Sequence, residues 1–123
     1  MESLGLAPTR KNLALLFFVS LLIRAAFFFF YVQHEERYNQ ADSPDYHSCA
    51  VGMTIGTGMH RFHNKQPIFW RTPGYPLYLS YFYKLFGITS GRFEDNIPAQ
   101  KAAIWVQIII DSLIPLIIFF LAL

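Results

Sequence analysis

The sequence predicts an all-α membrane protein, with two transmembrane helices joined by an extracytoplasmic loop that carries two short juxtamembrane amphipathic helices. Three observations predict it. Leu13 to Val32 is a run of 20 residues with one charge and one Ser, and Ala102 to Leu123 is a run of 22 whose only charge is Asp111. At ~1.5 Å per residue each run reaches roughly 30 Å, the hydrocarbon thickness of a bilayer. Between them, two Pro-led segments carry helix-start signals and are each closed by glycines.

Composition agrees. The chain is 54% hydrophobic, 18% aromatic and 15% charged, whereas a soluble domain carries about 25% charged residues. A disordered tail and an ordinary soluble domain are excluded. Ten basic residues against eight acidic give a net charge of +2, too balanced for a nucleic-acid partner. The single Cys49 excludes an intrachain disulfide framework.

Residues 1–11 read as a cytoplasmic N-terminus and 12–32 as transmembrane helix 1. This apolar run is longer than the ~7–15 residues of a signal-peptide core, and its bulky Phe27 to Tyr31 exit offers no small-residue cleavage site. Arg10 and Lys11 precede the span while Glu35, Glu36 and Arg37 follow it, so the positive-inside bias puts the loop, 33–98, outside the cytoplasm.

In that loop, Ser43-Pro44 reads as an N-cap followed by Pro at the first helical position, with Asp45 in the first turn. Tyr46, Ala50 and Met53 then mark an apolar stripe for a juxtamembrane helix near 43–56, ended by Gly56 and Gly58. A second start at Thr72-Pro73 opens a helix near 73–87 that Gly87 stops. Its four tyrosines, Tyr75, Tyr78, Tyr81 and Tyr83, suggest rings in the acyl boundary and hydroxyls among headgroups, with both helices lying along the outer leaflet. Transmembrane helix 2 is expected over 99–123, and because it runs to Leu123 with no polar flank the chain reads as the amino-terminal part of something longer.

Polar residues inside the spans need partners. Arg24 interrupts the first, and Gln107 and Asp111 share a face of the second with Pro115 one turn on, so that helix is expected to pack against others. His60 and His63, with His47 and Cys49 upstream, are a weak metal signal without a clear fourth ligand. Gly56-Thr57-Gly58 is a turn, not a nucleotide cradle.

Two residues can carry chemistry. Asp42, about ten residues beyond the first span, sets a carboxylate near the outer surface, where it can accept a proton from a hydroxyl nucleophile; it also reads as a solvated capping acid. Arg71, at the start of the second loop helix, can bind phosphate bidentately beside helix amides; it also reads as an interfacial Arg reaching for headgroups.

Taken together, Asp42-Ser-Pro-Asp45-Tyr46, Ala50, Gly56-Thr-Gly58 and Arg71-Thr-Pro73-Gly74-Tyr75-Pro76-Leu77 resemble the start of the GT-C membrane glycosyltransferases. The set is similar to the bacterial relatives of the protein O-mannosyltransferases and of the aminoarabinose transferase that modifies lipid A, over roughly Asn12 to Leu123. The resemblance implies a piece of a larger multi-span GT-C fold in the inner membrane, moving a sugar with inversion from a polyprenyl-phosphate donor to a lipid, glycan or protein acceptor on the outer face. It implies Asp42 as catalytic base and Arg71 as donor-phosphate ligand, with Asp45, Tyr46 and Tyr75 in support. Some members carry two consecutive acids where this chain has Asp42-Ser43. No cofactor is called for, no metal ligand is assigned, and a divalent metal is neither required nor excluded. This stretch alone is expected to be inactive. Two readings from other classes compete: a two-span accessory or assembly protein that would tolerate Asp42→Asn, and a channel or transporter piece using Arg24 and Asp111.

Overall fold

The computed structural model describes residues 9–32, 34, 42–61, 66–88, 92 and 94–122. The expectations that rest on residues 1–8, on Glu35, Glu36 and Arg37, on His63 and on Leu123 lie outside them. The described elements are helical: α1 (Arg10–Phe27) with a π-turn (Phe28–Val32), α2 (Ser43–Thr54), α3 (Gly74–Leu85), a 3-10 turn (Glu94–Asn96) leading into α4 (Ile97–Asp111), and α5 (Ile114–Leu121). The described residues hold no strand, only an isolated antiparallel bridge between His60 and Pro67. The chain divides into two compact units, one of residues 1–31 and 106–123 and the other of 32–105.

In the first unit, α1 starts where the Thr9 side chain accepts from Asn12 N–H at 3.3 Å, a serviceable N-cap. It packs against α5. Two apolar helical segments, Arg10–Val32 and Glu94–Leu121, are long enough to cross a membrane, and only 11% of either hydrophobic window is buried. A core helix of a soluble protein would hide most of that surface. Here Phe18, Leu22, Ile23, Ile117 and Ile118 are all exposed. Arg24 turns back one helical turn, its guanidinium donating to the Ser20 hydroxyl and to Ser20 C=O, so its charge finds acceptors on its own helix.

The second apolar segment is broken. Pro115 brings no N–H to the Asp111 carbonyl. Ser112 N–H still reaches Ile108 C=O at 3.1 Å, but Leu113 N–H tightens to Ile110 at 3.0 Å, and α5 restarts with Leu116 and Ile117 N–H on Leu113 C=O. The Ser112 hydroxyl adds a bond to Ile108 C=O at 2.7 Å.

The second unit is built on α2 against α3. Its core is Ala50, Val51, Leu79, Phe82, Tyr83, Ala99 and Ala103. The predicted stripe of α2 is only partly realised: Ala50 is buried, but Tyr46 and Met53 are half-buried, while His47, Cys49, Val51 and Gly52 are buried as well. Small side chains bury by close approach whatever their hydropathy, so α2 is a packed helix more than a surface one. The tyrosines of α3 depart from the interface expectation in the same way. Tyr83 is fully buried and Tyr78 donates its hydroxyl to Ala103 C=O at 2.6 Å, leaving Tyr81 as the most exposed of the four at 67%.

After α2 the chain folds back over it. Gly56 and Gly58 hold φ of 80° and 84°, conformations open to glycine, while Thr57 and Gly58 N–H both bond Gly52 C=O. A hairpin follows, with Arg61 N–H on Gln66 C=O at 2.8 Å and Ile68 N–H on Met59 C=O at 3.0 Å, and Ile68 is buried. The return passes so close that a Cβ on Gly52 would lie 2.1 Å from Gly58 O and 2.8 Å from the His60 ring. Gly52→Ala is therefore expected to lower stability by about 1–3 kcal/mol or more, because a backbone atom must move. Gly56→Ala, which meets nothing within 4 Å, is expected to lose only about 1 kcal/mol to the positive φ. Denaturant midpoints of the two variants in detergent micelles check the order.

Candidate functional site

The first turn of α2, the exit of the hairpin and the start of α3 meet at one acidic and basic cluster within the second unit. Sequence placed Ser43 at the N-cap, but the structure shifts the start by one residue: Ser43 is the first helical residue and Asp42 holds the N-cap position. Pro fits either of the first two helical positions, where its missing N–H has no intrahelical role, so Pro44 alone does not fix the register. Asp42 C=O accepts from Asp45 and Tyr46 N–H at 3.1 and 3.2 Å. Its carboxylate makes no cap bond.

It is taken instead by Arg71. One guanidinium nitrogen, Nη1, donates to Asp42 Oδ2 at 2.8 Å and Nη2 donates to Asp42 Oδ1, a fork-to-fork pair that combines charge with directional bonds. Nη2 also reaches Asp45 Oδ2 at 3.5 Å, and the guanidinium lies 5.4 Å from the centre of the Tyr46 ring. On the other side of Asp45, Arg61 Nε approaches Oδ1 at 3.3 Å and its guanidinium stands 5.5 Å from the Trp70 ring. The hydrogen bond that it donates to Asp42 is the chief reason that Arg71 holds its proton more tightly than an ordinary arginine, with burial opposing.

The two acids differ in access. The Asp42 side chain is 57% exposed and that of Asp45 18%. Both sit where the α2 dipole favours an anion. Of the roughly four lone-pair positions on a carboxylate, Arg71 occupies two on Asp42, which leaves positions open to an incoming hydroxyl. Arg71 Nε is buried and has no hydrogen-bond partner among the described residues.

Beside the cluster lies a cavity of about 130 Å³, lined by residues that include Ser43, Tyr46, His47, Tyr75, Tyr83 and Gln100. Tyr46 and Tyr75 meet edge to face at 5.4 Å, and Tyr75 stacks on Tyr78 at 6.1 Å. Thus Asp42, Arg71, Asp45, Tyr46 and Tyr75, all singled out from sequence, come together. The buried polar groups next to the cavity are what sequence reasoning missed. His47 Nδ1 is 2.9 Å and Gln100 Nε2 3.0 Å from the Tyr83 hydroxyl oxygen, and Asn96 Nδ2 is 3.3 Å from His47 Nε2. One signal was available: Asn96 and Gln100 are four apart at the mouth of an apolar helix, on the face that also carries Ala99 and Ala103.

Among the described residues, His47, Cys49 and His60 form no ligand set. Both ring nitrogens of His47 have hydrogen-bond partners, His60 Nδ1 lies 3.0 Å from Gly58 O, and among the described residues no three His, Cys, Asp or Glu side chains are grouped to hold an ion. Comparison with protein-family models, with curated proteins and with solved structures finds no match to this chain.

Burial, with a smaller push from Asp45 against a pull from Arg71, raises the Cys49 thiol above its ordinary 9.0. Burial likewise raises Tyr83 well above 10.0, the Gln100 hydrogen bond opposing. In both cases the unfolded chain gives up its proton first. Stability is therefore fully present below about pH 9 and falls as pH rises toward and through the folded-state values. An alkaline unfolding titration is expected to show this decline, and Tyr83→Phe is expected to flatten its upper part. Native Cys49 is expected to resist a maleimide reagent at pH 7 and to react once the chain is unfolded.

Proposed function

We propose that this chain forms the donor-binding part of a GT-C-type membrane glycosyltransferase, which transfers a sugar from a polyprenyl-phosphate donor to a lipid, glycan or protein hydroxyl on the outer face of a bacterial inner membrane. The observation that supports the reading is the meeting of Asp42 and Arg71, 29 residues apart, in one bidentate pair beside an aromatic cavity.

The reaction is a single displacement. The acceptor oxygen attacks the anomeric carbon as its proton passes to Asp42, and the bond from the anomeric carbon to the phosphate oxygen breaks with its electron pair going to the phosphate. Configuration at that carbon inverts. Arg71 stabilises the charge that builds on the departing polyprenyl phosphate. The ion pair couples the two roles: phosphate oxygens compete with the Asp42 carboxylate for the same guanidinium fork, so donor binding draws Arg71 toward the phosphate and frees the lone pairs of Asp42 to act as base. In this reading residues 1–11 are cytoplasmic and the segment 33–98 lies outside.

The test is binding of decaprenyl phosphate to the chain in nanodiscs, followed by phosphorus NMR. Arg71→Ala is expected to weaken binding by about tenfold or more, the loss of charge-assisted hydrogen bonds. Asp42→Asn is expected to bind as tightly as wild type or tighter, because the competing carboxylate is gone. In cells, Asp42→Asn made in the whole transferase is expected to cut sugar transfer by about a hundredfold or more, the usual scale for a lost general base. An accessory protein would show neither response, and equal donor binding by Arg71→Ala would overturn the assignment of the phosphate site.

A further inference from the structure

We propose that Phe69 and Trp70 form a membrane-surface anchor, their rings seated in the headgroup layer of a bilayer, so that the second unit rests on lipid at the point where the chain reaches Arg71.

Their neighbours hold the two rings out. Ile68 N–H bonds Met59 C=O at 3.0 Å, His60 pairs with Pro67, and the Ile68 side chain is buried. Successive side chains of an extended stretch point to opposite sides, so burying Ile68 turns Phe69 outward, where it is 87% exposed, and Trp70 follows at 58%. One residue on, Arg71 is tied to Asp42 and Asp45. The aromatic pair is thus pinned on both flanks, and neither ring can turn inward without breaking the contacts beside it. Left in water, two of the largest apolar side chains would stay uncovered at one spot.

Three observations favour lipid as the cover. The unit stands, along the chain, between two segments long and apolar enough to cross a membrane: residue 32 ends the first, and the start of α4 belongs to the second. A bilayer that holds those segments is tethered to this unit at every protein concentration, whereas a second protein is not. Residues 46–93 carry five Lys and Arg and no Asp or Glu, which complements the anionic headgroups of a membrane surface. Finally, Trp joins an apolar body to an indole N–H and concentrates at headgroup depth, and the Arg61 guanidinium stands 5.5 Å from the Trp70 ring, a cation beside the ring for the phosphates of that layer. One consequence rests on the glycosyltransferase reading: because Trp70 adjoins Arg71, seating the ring sets the guanidinium at the depth of lipid phosphates, within reach of a donor whose tail stays in the bilayer.

The chain has two tryptophans, Trp70 and Trp105, so Trp105→Phe leaves Trp70 as the sole indole reporter in nanodiscs of phosphatidylethanolamine and phosphatidylglycerol. Its fluorescence is expected to be quenched by lipids brominated near the carboxyl end of the acyl chain more than by lipids brominated near the methyl end, and to be shielded from acrylamide in the water. Adding Phe69→Glu, at an exposed position, is expected to remove most of the bromolipid quenching while the far-ultraviolet circular dichroism stays unchanged. Should Trp105→Phe fail to fold, the difference in quenching between the wild-type chain and Trp70→Phe gives the same reading. Full access of acrylamide to Trp70 overturns the proposal. So does a Trp70 shielded from acrylamide but indifferent to brominated lipid, the sign of cover by a second copy or another protein. Bromolipid quenching of Trp70 with decaprenyl phosphate binding that ignores Arg71→Ala leaves this inference standing and overturns the donor reading; Arg71-dependent binding with Trp70 open to water does the reverse.

Discussion

The close passage of the chain over Gly52 governs where the charged groups of the second unit arrive. With no Cβ at that position, the Gly58 carbonyl and the His60 ring come down onto α2, and the hairpin that follows runs back toward the start of the same helix. Arg61 ends the outgoing segment and Arg71 follows the returning one, and both end on acids at the start of α2. Ala50, buried next to Val51 in the core, keeps α3 equally near. The geometry of the charge cluster is thus a by-product of small residues on a helix whose hydropathy pattern is weak.

What those contacts hold is a set of four charges that sums to zero. Two carboxylates at a helix N-terminus would repel each other, yet each is matched by a guanidinium that also lies near an aromatic ring, Tyr46 for Arg71 and Trp70 for Arg61. Exposed ion pairs contribute little to stability, and Asp42, at 57% exposed, is the least enclosed member. Asp45, more enclosed and shared between both arginines, is the member that keeps the cluster in place.

Much of this was legible in the sequence because the responsible signals are local. Apolar runs of bilayer length identify two membrane-capable helices with no knowledge of tertiary structure, and the Pro and Gly punctuation brackets α2 and α3 within about two residues. The start of α2 moved by one because a proline tolerates either early position and because the stronger partner for Asp42, Arg71, is remote. The direction of the tyrosines was not legible, since four rings on a short helix satisfy an interface and a core equally well; Tyr83 turns inward because His47 and Gln100 offer its hydroxyl partners there. The antiparallel pairing of 59–61 with 66–68 carries no alternating apolar pattern and rests on two backbone bonds and one buried side chain, Ile68. The pairing of Asp42 with Arg71 was hinted at only by a resemblance that treats them as separate functional groups.

The break before Pro115 has a consequence for thickness matching. A straight helix over the 28 residues Glu94–Leu121 would be about 42 Å long, against a hydrocarbon layer of roughly 30 Å. A single rod of that length must lean strongly or leave apolar turns in water. The turn at Ser112-Leu113 interrupts that rod, so α4 and α5 are each far shorter than the 28-residue segment taken as one helix.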